Sequence, residues 1–276
     1  MQRDLLRFFA LAYGISWLIW APLWLPAFGV AVLPVFPLQH ALGGLGPLFA
    51  AFVMMWRETG GSGIRKLAVA MISPGKGLYW AIALFGPFVL LLVAMAFSKD
   101  PLSLSGMLRT REFPTWSFVV FALYNLVFFG FGEETGWRGY ALPRLQHGMN
   151  ALWASVVLTL FWALWHWPLF LYRPGYVSMD LAGIAGWLFS LLTGSVLLTW
   201  LFNGSRGSVL VVALLHSTID IAFTCDSATP DVVPIVGALI TLWGIATVLF
   251  LKPRDLARSP RVTDTYSGSP PRGGIK

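Results

Sequence analysis

Phe131-Gly132-Glu133-Glu134-Thr135-Gly136-Trp137-Arg138 is the stretch on which the reading turns. It lies inside an apolar run extending roughly from Trp116 to Gln146. Adjacent residues on a helix point about 100° apart, so Glu133 and Glu134 cannot serve one point in space. Arg138 lies four residues after Glu134, one turn on and on the same face. This spacing pairs Glu134 with Arg138 and leaves Glu133 facing another part of the fold. A charged residue at bilayer depth costs at least about 2.5 kcal/mol on insertion scales, so such groups tend to mark sites.

The surrounding chain supplies the bilayer. Hydrophobic residues make up 57% of the 276 and charged residues 11%, with a mean hydropathy of +0.72. A soluble domain carries about 25% charged residues. Long apolar runs with few charges predict an all-α, polytopic transmembrane bundle rather than a barrel. Eight runs are legible, at about 5–28, 32–56, 78–97, 116–146, 151–172, 181–202, 208–224 and 232–251. Residues 1–251 therefore read as one transmembrane helical domain. Residues 252–276, rich in Pro, Gly, Ser and Arg, read as a disordered basic tail. The loop from Glu58 to Gly77 reads as a flexible, glycine-rich connection. The first run reads as a retained anchor, being longer than the apolar part of a signal peptide.

With the N-terminus inside, 15 of the 19 basic residues fall on the inner side and 4 on the outer. That asymmetry predicts a multi-pass protein of the cell membrane with both termini cytoplasmic. The net charge of +7 is accounted for by these inner loops and requires no nucleic acid partner. Cys225 is the one cysteine, which excludes an intrachain disulfide and a cysteine-based metal cluster. The 14 tryptophans suit interfacial belts and bundle filling.

Among the acids and histidines, only Glu133, Glu134, Asp220, His40, His166 and His216 lie within the apolar runs. His216 and Asp220 are an i, i+4 pair on one helix face, and Trp162 precedes His166 by one turn. Ser155 and Thr159 extend that face as a polar stripe. Rise per residue gives depths from the inner ends of about 20 Å for Glu133, 24 Å for His166, and 14 and 20 Å for His216 and Asp220. Three helices of alternating direction thus bring their polar residues to similar heights, which predicts one site. His40 reads as an interhelix hydrogen-bond partner, His147 as a surface residue and Cys225 as a wall residue.

A carboxylate with imidazoles can activate water directly as a general base, or through a metal that acidifies the water. A second imidazole can stabilise an oxyanion. Two other classes stay open on these residues. One is a proton- or ion-coupled transporter, against which the absence of an internal repeat counts. The other is a non-enzymatic membrane immunity or partner protein, which would need no such set of buried groups.

The order Glu133-Glu134-xxx-Arg138, then Trp162-xxx-His166, then His216-xxx-Asp220 resembles the CAAX prenyl endopeptidase type II family. These are also called the CPBP or Abi intramembrane proteases. The resemblance lies within residues 131–224. It implies an intramembrane endopeptidase with Glu133, Glu134, His166 and His216 as the catalytic set. Glu133 would act as base on water that His166 helps to hold. Arg138, Trp162 and Asp220 would support the site or bind substrate, with His216 and Asp220 toward the oxyanion. Family descriptions include both a metalloprotease and a metal-independent glutamate protease. Zn2+ held by Glu133, His166, His216 and Asp220 is compatible with the resemblance and not required by it. The implied partner is a membrane-associated peptide or protein substrate in the lipid bilayer. The family's archetype removes the last three residues of prenylated CAAX proteins, while bacterial members are linked to peptide processing and bacteriocin immunity. Two departures stand out: Trp162 where the family pattern has Phe, and Asp220 where the eukaryotic pattern prefers Asn.

Overall fold

The computed structural model describes residues 2–30, 33–99 and 103–264, and every regular element among them is helical. In chain order these are α1 (Gln2–Trp24), α2 (Gln39–Gly44), α3 (Gly46–Thr59), α4 (Gly61–Ile72) and α5 (Gly77–Phe97). A continuous rod follows from Phe118 to Gly148. It comprises α6 (Phe118–Tyr124), a π-helical stretch (Asn125–Phe131), α7 (Gly132–Gly136), a second π stretch (Trp137–Ala141) and α8 (Leu142–Gly148). Then come α9 (Ala151–Trp165), the short α10 (Leu169–Tyr172) and α11 (Pro174–Val177), α12 (Leu181–Gly204), α13 (Val209–Thr224) and α14 (Val232–Phe250).

Six of the stretches are long and apolar enough to cross a membrane: Arg3–Phe28, Gly77–Phe97, Phe118–Gly148, Ala151–Tyr172, Leu181–Gly204 and Val232–Phe250. The shorter apolar α13 and the interrupted α2–α3 pair bring the count to about eight, and the protein is a multi-pass membrane protein. The interruption has a local cause. Pro47 cannot donate a backbone hydrogen bond, and it sits in the first turn of α3, just after Gly43, Gly44 and Gly46. Helix starts elsewhere follow side-chain capping. Asn150 accepts from the Trp153 amide, Asp180 from Gly183 and Ser208 from Val211.

α13 lies at the centre, packed against α5, the first π stretch, α7 and α12, while α1 lies on α3 and α12 on both α9 and α14. Large apolar side chains such as Leu18, Phe85, Phe97, Leu160, Leu181 and Phe250 are exposed, as a lipid-facing surface requires.

Two expectations need correction. The connection between α3 and α5 is not a plain flexible loop, because it contains α4. Leu67 and Ala70 are buried one turn apart there while Arg65 and Lys66 face outward, an amphipathic pattern that the glycines mask. The tail is not disordered from its start. Over 252–264 it folds back on the bundle, with Leu256 fully buried. The carbonyls of Pro253 and Arg254 accept the Leu152 and Ala151 amides, which have no partner within α9. The side chains of Gln146 and Asn203 bond to each other and to the backbone of Asp255 and Val262. Residues 265–276, the rest of the expected tail, lie outside the described residues.

Candidate active site

The rod that carries Glu133 is pressed between α13 on one side and α2 on the other. A Cβ on Gly130 would lie 2.6 Å from the Ala213 carbonyl, and one on Gly132 would lie 2.7 Å from the Gly44 carbonyl. Only glycine permits both approaches, so residues 130 and 132 set how closely α7 meets its neighbours. The wider π turns flank α7 on both sides, a local geometry often found at functional sites.

Glu134 and Arg138 pair as their spacing predicts, Oε1 to Nη1 at 2.9 Å, with neither side chain exposed. Arg138 also donates from Nη2 to Ser195 Oγ on α12 at 3.1 Å. The same Glu134 oxygen lies 2.6 Å from His216 Nδ1 on α13. Because that carboxylate oxygen already accepts from Arg138, the imidazole N–H is the donor here. Glu134 thus ties the rod to α13, and Arg138 ties it to α12.

Glu133 points elsewhere, as expected, and its partners are indoles. Trp162 Nε1 donates to Glu133 Oε2 at 2.7 Å, and Trp137 Nε1 approaches the same oxygen at 3.4 Å. The Trp162 ring lies 5.7 Å, centroid to centroid, from both His166 and His216. The Arg138 guanidinium sits over its face at 4.7 Å. Glu133, His166 and His216, from three separate helices, therefore meet around one tryptophan, and all are buried.

His166 lies one residue past the end of α9 rather than within an unbroken span. Pro168 prevents the helix from continuing, and carbonyls of its last turns accept side-chain donors from α1 and from the histidine itself. Tyr13 donates to the Phe161 carbonyl, Trp17 to that of Trp165, and His166 Nδ1 to that of Trp162 at 2.7 Å. A carbonyl only accepts, so Nδ1 carries the proton and the neutral ring offers Nε2 as an acceptor. Tyr176 stacks on His166 and Trp187 lies edge-on to it.

Asp220 is the outlier. Its Oδ2 lies 3.6 Å from His216 Nε2, ion-pair range but beyond a hydrogen bond, and its side chain is 28% exposed. In the stripe of Ser155 and Thr159, Ser155 joins α9 to Thr199 on α12, and both hydroxyls bond carbonyls of their own helix. His40 bonds Tyr172 and packs on Trp20, Cys225 is buried and His147 is exposed, all as expected. Among the described residues no three His, Cys, Asp or Glu side chains are arranged to hold a metal ion. Glu134 takes His216 Nδ1 and leaves Nε2 facing Asp220 at the margin of the site.

Sequence reasoning missed Trp137 and Ser195. Trp137 stands four residues after Glu133, so helical spacing alone contained that signal. Ser195 carried none, because only the packing of α12 on the rod brings it to Arg138.

Residues 115–222 match the family model described as Type II CAAX prenyl endopeptidase Rce1-like. That segment includes every residue of the cluster just described. This part of the chain is similar to that family. A stretch of 44 residues is also 46% identical to CAAX prenyl protease 2 of Methanococcus maripaludis. It covers 16% of this chain and 16% of that relative.

Proposed function

We propose that this protein is an endopeptidase of the CAAX prenyl protease type that cleaves a peptide bond at the membrane with water activated by Glu133. The observation that carries the reading is the meeting of Glu133, His166 and His216 around Trp162, inside the segment that matches the family. Glu133 takes a proton from water as its oxygen attacks the scissile carbonyl carbon. His166 Nε2 accepts a hydrogen bond from that water and orients it. His216, when protonated at Nε2, donates to the oxyanion. Glu133 then returns the proton to the departing amine as the C–N bond breaks. Glu134 and Arg138 hold His216 and the rod in register. Asp220 lines the open edge beside His216, where an ionised carboxylate accepts but cannot donate. The name of the archaeal relative makes a membrane-anchored, prenylated peptide ending in a CAAX sequence the first substrate class to try. The reading includes a cell-membrane location with both termini cytoplasmic.

The test is cleavage of a farnesylated, internally quenched CAAX peptide by the full chain in proteoliposomes. Glu133→Gln should lower kcat about 100- to 10,000-fold, the usual worth of a general base, while leaving thermal unfolding unchanged. Equal rates would remove Glu133 from the chemistry. Direct activation of water by Glu133 predicts that activity also survives chelation. Loss with chelator and recovery with zinc would replace the direct route by a metal-assisted one.

A further inference from the structure

We propose that Trp162 is a positioning residue for Glu133, a role created by the indole that stands where the family pattern has phenylalanine. The inference rests on the reading of Glu133 as base. Three contacts fix the geometry. The indole N–H holds Glu133 Oε2 at 2.7 Å. The Arg138 guanidinium, itself anchored by Glu134 and Ser195, covers the ring face at 4.7 Å. The Trp162 carbonyl receives His166 Nδ1 at 2.7 Å. One residue therefore orients both groups that face the water, the carboxylate through its side chain and the imidazole through its backbone.

The consequence lies in the carboxylate's two oxygens. Trp162 and Trp137 both address Oε2. Oε1 makes no hydrogen bond with any described residue and is the atom left to take the proton. A phenylalanine at 162 would keep the packing but supply no donor, so the carboxylate would be free to rotate about its last torsion. Pinning one oxygen keeps the other aimed at the water, which lowers the cost of reaching a productive geometry.

The decisive variant keeps the shape and removes only the donor. Trp162 is replaced by 3-benzothienylalanine, in which sulfur stands for the N–H, in the full chain in proteoliposomes with the farnesylated peptide. A positioning role predicts a fall in kcat of about 10- to 100-fold, the worth of one hydrogen bond to a charged group, with KM within about twofold. The same change at Trp137, whose contact is the longer one, should cost less. Wild-type kcat in the Trp162 isostere, alongside an inactive Glu133→Gln, would overturn the positioning role and leave the catalytic reading intact. An active Glu133→Gln would overturn both. Independently of turnover, the indole 15N–1H resonance of Trp162 should move upfield in Glu133→Leu, and an unmoved resonance would show that the bond does not exist.

Discussion

Two arginine–carboxylate pairs show how little local geometry says about importance. Glu112 and Arg173 form a two-pronged pair, at 2.9 and 2.7 Å, between the 103–117 loop and the start of α11. Glu134 and Arg138 share one hydrogen bond of 2.9 Å within a turn of one helix. The first pair is geometrically the better, yet its side chains remain 38% and 29% exposed. The second is wholly removed from solvent. Water can replace either partner of the first pair. Nothing can replace a partner of the second except the polar groups that the fold has already placed there. What matters is the cost of leaving the survivor unpaired.

The comparison can be broken by substitution. Arg138→Ala should destabilise the protein by about 3–5 kcal/mol, because Glu134 is left as a buried charge with only His216 beside it. Thermal unfolding in one detergent would read this, and a loss under about 1 kcal/mol would erase the contrast. Ser195→Ala removes one uncharged partner of Arg138 and should cost about 1.5–3 kcal/mol in the same assay. A neutral result there would mean that the guanidinium finds another acceptor. Glu112→Gln should change stability by no more than about 1 kcal/mol. That small effect should vanish in high salt, whereas the Arg138→Ala loss should persist, since screening acts on exposed charges far more than on buried ones.

The pairing of Glu134 with Arg138, and the turning away of Glu133, were legible in the chain because both follow from spacing on one helix. So were the helical class and the shared height of Glu133, His166 and His216, since hydropathy and rise per residue are local quantities. α4 and the docked 252–264 segment were not legible. Glycine, proline and charge dominate their composition, and the few apolar residues that fold them, Leu67 and Leu256, act only through surfaces supplied by distant helices. The spacing of His216 and Asp220 was legible, but the partner that holds His216 was not. That spacing places both on one face, with Asp220 Oδ2 3.6 Å from Nε2, while Nδ1 is claimed by a carboxylate 82 residues away in sequence.

By itself, then, the order of residues determined a helical membrane protein, its approximate spans, the internal ion pair of the rod and the small set of groups worth watching. The tertiary structure alone decided that Trp162 stands at their centre, that Glu134 rather than Asp220 holds His216, and that Ser195 completes the surroundings of Arg138. The reason is the range of the forces involved. Periodicity and hydropathy act along a single helix, whereas a hydrogen bond between helices exists only once their packing has fixed both ends.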